Sequence, residues 1–275
     1  MLPARVGGTG HPGRTGAPTP ATGDGGPTMT APAPDPPRVP LARWLAAEAL
    51  GTAFLVAAVI GSGHFASELS PDDTGLQLLE NSIATGGILV ALILALGPVS
   101  GAHLNPAVTL ADVLLGGMGR AVAAAYAAAQ IVGAVAGAVV ANLMFELPAI
   151  ELSTNATRTG AGQWLAEGVA TFGLVLVILG VVRSGRAVLA AFAVAGYIVA
   201  AYWFTSSTSF ANPAVSIGRM CSDTFAGIAP SAVPAFIGCQ LLGAAAAVVV
   251  GRALFPDVED AADDMIVPHE GGTNP

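Results

Sequence analysis

Apolar positions in this chain run in long unbroken windows rather than in the alternation of a half-buried strand. The windows fall at about 41–62, 78–97, 119–144, 163–183, 187–205 and 231–254. Each is close to the roughly 20 residues that a helix needs to cross a bilayer. The pattern predicts an all-α membrane protein with six transmembrane helices. Two further segments open with the same tripeptide, Asn105-Pro106-Ala107 and Asn212-Pro213-Ala214, each with Val three positions after the Asn (Val108, Val215). Asn is a preferred helix cap and Pro a preferred first helical residue. The second of these helices meets Asp223, Gly227 and Pro230 soon after Ser222. Both segments are too short to span and read as half-helices.

The same landmarks recur in the same order. Glu48 to Thr52 in the first span answers Glu167 to Thr171 in the fourth, and Gln130-Ile-Val-Gly133-Ala134 answers Gln240-Leu-Leu-Gly243-Ala244. Three spans and one half-helix therefore make a repeat, the first over about 41–145 and the second over about 163–254. An odd number of spans per repeat inverts the second copy, and sites in such folds lie near the midplane between the copies. The two half-helices are expected to be re-entrant, entering from opposite faces and meeting at their Asn-Pro ends.

Composition agrees and excludes other classes. The chain of 275 residues is 53% hydrophobic and 10% charged, far from a soluble domain. Residues 1–38, rich in Gly, Pro and Thr, are expected to be a disordered tail without a signal peptide, with Met29 as an alternative start. The channel domain is expected over 39–255, and an acidic tail over 256–275. All 10 basic residues are Arg. Arg38, Arg43, Arg120, Arg183, Arg186 and Arg252 fall on one side of a six-span topology, which makes that side, and both termini, cytoplasmic. Arg158 and Arg219 fall outside that pattern. Nothing points to nucleic acid, a cofactor, a metal or an enzyme. Cys221 and Cys239 read as small apolar packing groups, and Gly86, Gly87, Gly133, Gly137 and Gly243 as close helix contacts.

Non-helical backbone at membrane depth is tolerated where it lines a water-filled cavity, and segments 100–105 and 206–212 fit that description. Two helix N-termini there present partial positive charge, and Asn105 and Asn212 offer amide donors to a passing oxygen. Such a centre repels cations and passes neutral solutes. Glu48 and Glu167 read as braces for the re-entrant loops, or alternatively as a proton or ion site. His103 reads as a hydrogen-bonded loop residue or a pH-sensitive group.

Ser100-Gly-Ala-His-Leu-Asn105-Pro-Ala-Val-Thr109, with the second Asn-Pro-Ala and the paired Glu and Gln-x-x-Gly-Ala steps, resembles the aquaporin and glycerol-facilitator family over about 41–255. The resemblance implies a passive channel with one pore per subunit, usually a homotetramer, in the plasma or inner membrane. It also implies a selectivity constriction at Thr85, Ala200, Ser209 and Val215, with Tyr197 as another occupant of the fifth-span position. Most of the family carries Arg where this chain has Val215, and glycerol facilitators carry Asp where it has Ser216. A pore lined by those four residues is expected to be wide and weakly polar. The pattern is similar to a bacterial subgroup often encoded with arsenic-resistance genes, which implies neutral As(III) hydroxide and polyols such as glycerol as cargo. The alternatives are a pore mainly for water, a gradient-coupled transporter using Glu48 or Glu167, and a structural junction.

Arg219 and Asp112 each lie seven residues beyond their Asn, on the stripes of Val215 and Val108 and about 6 Å further out along the half-helices. They are vestibule candidates. Local pairing predicts Arg219 with Asp223 and Asp112 with Arg120; the alternative is that Arg219 replaces the missing constriction Arg one turn outward.

Overall fold

A computed structural model describes residues 40–155, 157–255 and 258; the expected terminal tails lie outside the described residues. Helix α1 spans Leu41–Leu69, α2 Thr74–Ser100, α3 Pro106–Leu115 and α4 Arg120–Met144. The second half contains α5 at Ala161–Arg183, α6 at Ala190–Phe204, α7 at Pro213–Arg219 and α8 at Val233–Leu254, with 3-10 turns at Ala187–Leu189 and Pro230–Ala232 leading into α6 and α8. Among the described residues six helices are long and apolar enough to cross a membrane, and the half-helices are α3 and α7.

The helix ends follow from local chemistry. Asn105 and Asn212 cap α3 and α7, their side-chain oxygens accepting from Ala107 N and Ala214 N. α1 continues beyond its apolar window because Ser62 and Ser67 return their hydroxyls to the carbonyls of Ala58 and Gly63, which satisfies the polar side chains without breaking the helix. α7 stops at Arg219 rather than near Ser222. The carbonyls of Met220 and Cys221 instead accept from Ser153 N and Glu151 N, so the connection from α4 captures the groups that another helical turn would require.

Within each repeat the first and third spans dock through small residues. A Cβ built on Gly133 would lie 2.1 Å from Ala49 O, and one on Gly243 would lie 2.3 Å from Gly168 O. α4 therefore lies backbone-to-backbone on α1, and α8 on α5, as small-residue membrane interfaces allow. Gly87 takes no part, because nothing lies within 4 Å of its Cβ position. The outward faces are apolar, with Leu50, Phe54, Leu94, Phe192, Leu242 and Val249 exposed, which suits contact with hydrocarbon.

Candidate channel and its constriction

Both re-entrant loops are built alike, position by position. Ala102 and Leu104, three and one residues before Asn105, have φ of 48° and 50°; Ser209 and Ala211, at the same distances from Asn212, have φ of 49° and 48°. Left-handed backbone costs an L-residue about 1–2 kcal/mol, so each loop needs external restraint. Glu48 provides it in the first repeat, accepting from Ser100 Oγ, His103 N and Leu104 N at 2.7, 3.0 and 2.7 Å. Glu167 accepts from Phe210 N and Ala211 N, both at 2.9 Å. Gln130 and Gln240 each donate to the same carboxylate, at 2.8 and 2.6 Å, and to the Thr109 or Ser216 hydroxyl. Both carboxylates are fully buried.

The loops cross-link at the centre. Asn105 Nδ2 donates to Ala211 O and Asn212 Nδ2 to Leu104 O, both at 2.8 Å. Each amide keeps a second N–H, and both Asn residues line a cavity that also touches His103 on one side and Arg219 on the other. Its walls are apolar and follow the repeat. Leu55 and Val59 of α1 are answered by Leu174 and Ile178 of α5, while Leu89 and Ile93 of α2 face Val194 and Ile198 of α6.

The sequence profile of the major intrinsic protein family matches residues 37–201. The chain belongs to that family. It is 53% identical over 212 residues to the aquaglyceroporin AqpS of Rhizobium meliloti (strain 1021), which covers 77% of this chain and 90% of the relative. It is 38% identical over 183 residues to aquaporin NIP1-4 of Oryza sativa subsp. japonica, with 64% of this chain and 65% of that protein covered. The X-ray structure of the aquaglyceroporin from Plasmodium falciparum superposes with a TM-score of 0.62 at 20% identity, covering 80% of this chain and 99% of that one. That likeness speaks for the fold. This family member is a multi-pass membrane channel and not an enzyme.

Family membership leaves the constriction to be read from the geometry. Thr85, Ser209 and Val215 line the cavity. Ala200 does not: it is exposed on the outer side of α6, whereas Val194, Ile198 and Tyr202 line the cavity at the four-residue spacing of one helical face. Two residues of helix turn a side chain by roughly 200°, so placing the fifth-span position at Ala200 puts it on the wrong face. Tyr197 also lies away from the cavity, its hydroxyl donating to Val169 O. Tyr202 is the last of the α6 residues on the cavity face, with its hydroxyl 3.0 Å from Thr85 Oγ1. The mouth is therefore not free of aromatic groups, contrary to the expectation from the four small residues.

The vestibule pairings also differ from expectation. Asp223 accepts from Thr154 N at 2.9 Å and from the Thr154 hydroxyl, and it is not the partner of Arg219. Arg219, only 1% exposed, donates through Nε to Ala226 O and lays its guanidinium 3.5 Å from the centroid of the Phe210 ring. Asp112 is buried with His103, whose Nε2 lies 3.6 Å from its carboxylate, while Arg120 is exposed. His103 Nδ1 is 3.1 Å from Thr109 Oγ1. His103 and Phe210 both stand two residues before their Asn, and Asp112 and Arg219 both stand seven after. Equivalent positions thus hold an acid–imidazole pair at one mouth and a cation–aromatic pair at the other.

Two residues lining the cavity escaped sequence reasoning, Tyr202 and Phe210, as did the role of Arg158, which bonds to the second re-entrant loop. A signal existed for Phe210, which occupies the loop position that His103 holds in the first repeat. Arg158 compensates for a lost hydroxyl. Tyr126 donates to Ser100 O in the first repeat, but Phe236 stands four residues before Gln240 where Tyr126 stands four before Gln130. Arg158 Nη1 donates to Ser207 O instead, at 2.9 Å.

Proposed function

We propose that this channel passes small neutral solutes larger than water, polyols such as glycerol and trihydroxides such as arsenite among them. The observation that carries this reading is the two-sided lining of the cavity. Aliphatic side chains of α1, α2, α5 and α6 form one wall, and Asn105, Asn212 and Ser209 supply polar groups opposite. Ser209 Oγ is buried with no protein hydrogen-bond partner, so it is available to a passing hydroxyl. A solute with a carbon face and a hydroxyl face loses little on entering such a lining, whereas water alone cannot use the apolar wall. Val215, where a long cation would narrow the mouth, leaves the space to the solute.

Glu48 and Glu167 favour a passive pore over gradient coupling, because each carboxylate is already engaged by the loop it braces. We further infer a homotetramer in the plasma membrane with both termini cytoplasmic, a reading supported by the Arg distribution and by the apolar outer faces. The test is swelling of proteoliposomes in glycerol, arsenite, urea and sucrose gradients. Glycerol and arsenite are expected to enter without saturation and sucrose to be excluded. Water flux with no glycerol or arsenite flux would favour the water-channel reading, and gradient-dependent accumulation would favour the transporter.

Tyr202 is expected to set the upper size limit of that pore. Tyr202→Ala should admit larger polyols, with erythritol and sorbitol entering at least several-fold faster. Tyr202→Phe, which keeps the ring and loses only the bond to Thr85, should shift the limit little. An unchanged polyol series in a well-assembled Tyr202→Ala channel would place the narrowest point elsewhere.

A further inference from the structure

Arg158 and Arg219, the two cations that the side-to-side Arg distribution does not explain, come together around one aromatic ring. Their guanidinium carbons lie 5.0 and 3.5 Å from the centroid of Phe210. Both residues are buried, at 9% and 1% exposure. Their hydrogen bonds go to neutral oxygens. Arg158 donates to Gly227 O, Ser207 O and the Thr208 hydroxyl, and Arg219 to Ala226 O. Among the described residues no carboxylate lies within ion-pair distance of either; the ion pairs found are His64–Glu68 and His103–Asp112. Two like charges held out of water with no carboxylate in ion-pair contact are costly, and burial pushes the Arg158 guanidinium below its usual range, although the Glu167 carboxylate opposes that shift from a longer distance. Glu167, the carboxyl end of α7 and the bonded carbonyls offset part of that charge, but none of them is a carboxylate in ion-pair contact with either guanidinium.

We propose that Arg158 and Arg219, gathered about Phe210, form a binding site at the pore mouth for a small singly charged inorganic anion. Arg219 belongs to the cavity wall, so an ion reaches it from the pore. Its Nε is engaged, while its terminal amino groups have no protein acceptor among the described residues. They are the donors that the anion would meet, in the fork geometry that suits oxygen and halide acceptors. Partial compensation by the α7 terminus favours one negative charge over two. The site rests on the channel reading only for its location and route of access.

Bromide and nitrate are the probes. In crystals of the intact channel soaked in sodium bromide, an anomalous peak is expected in contact with the Arg219 guanidinium and beside Arg158; its absence at saturating bromide overturns the proposal. In detergent, the melting temperature of the wild-type channel should rise by several degrees in sodium nitrate over sodium gluconate at equal ionic strength, since a ligand of the folded state stabilises it. Arg219→Lys should keep that difference and Arg219→Gln should lose it. A nitrate effect unchanged in Arg219→Gln would also overturn the site. Should that variant fail to fold, the bromide peak in the wild-type channel decides. Glycerol swelling is independent of both measurements. Bromide bound without glycerol flux leaves the site standing and removes the channel reading, and glycerol flux with neither bromide peak nor nitrate effect does the reverse.

Discussion

Glu48→Ala is expected to prevent assembly of the channel, and Glu167→Ala to do nearly the same. Both carboxylates are fully buried. Removing Glu48 strips the acceptor from Ser100 Oγ, His103 N, Leu104 N and Gln130 Nε2. Each buried donor left without a partner costs about 1–3 kcal/mol, and the loop must still hold Ala102 and Leu104 in left-handed backbone. The sum is comparable with the whole stability of an ordinary domain, about 5–15 kcal/mol. Glu167 serves three donors, Phe210 N, Ala211 N and Gln240 Nε2, so its loss is expected to be slightly milder. Gln is not a remedy, because an amide turns one acceptor into a donor that faces N–H groups. The yield and melting temperature of the monodisperse protein are the measurements. Ala variants that assemble and melt like wild type but lose a pH-dependent flux would instead assign these acids an ionisation role.

The sequence displayed the architecture because the repeat is written in residues whose chemistry leaves little choice. A capping Asn before Pro, an acid in an apolar span and a Gln before Gly-Ala recur in order, and their bonds fall on equivalent atoms in both halves. The constriction was less legible for a physical reason. Ala200 is implied only by position in the family resemblance, and the stretch from Thr205 to Ala211 that separates it from Asn212 is not helical and has positive φ at Thr208, Ser209 and Ala211. Residue count there fixes neither rise nor rotation, so the helical phase of α6 has to come from its own buried face. That face contains Ile198 and Tyr202. The pairing of Arg219 with Asp223 failed similarly, because a spacing of four residues places side chains together only if the helix continues, and α7 ends at Arg219. The contacts that formed, His103 with Asp112 and Phe210 with Arg219, join a loop to its own half-helix across nine positions, and no helical period reports them.

Val215→Arg is expected to cut glycerol and arsenite flux at least about tenfold, equivalent to about 1.4 kcal/mol on the permeation barrier, and to cut water flux less. Val215 is 5% exposed and shares the cavity wall with Thr85, Tyr202, Ser209 and Phe210. An Arg side chain has no packed space behind it to enter, so it must extend into the lumen. It would also stand one helical turn from Arg219, where like charges at this spacing repel, and a third guanidinium would join the two already at Phe210. Repulsion drives the new side chain away from Arg219 and toward Tyr202, across the solute path rather than along the wall. Sieving by that side chain predicts an order of loss, with the larger solute falling most and water least. Equal loss of water and glycerol in a correctly assembled variant would mean that the added charge closes the mouth outright. Unchanged glycerol and arsenite rates would show that the narrowest point does not include Val215.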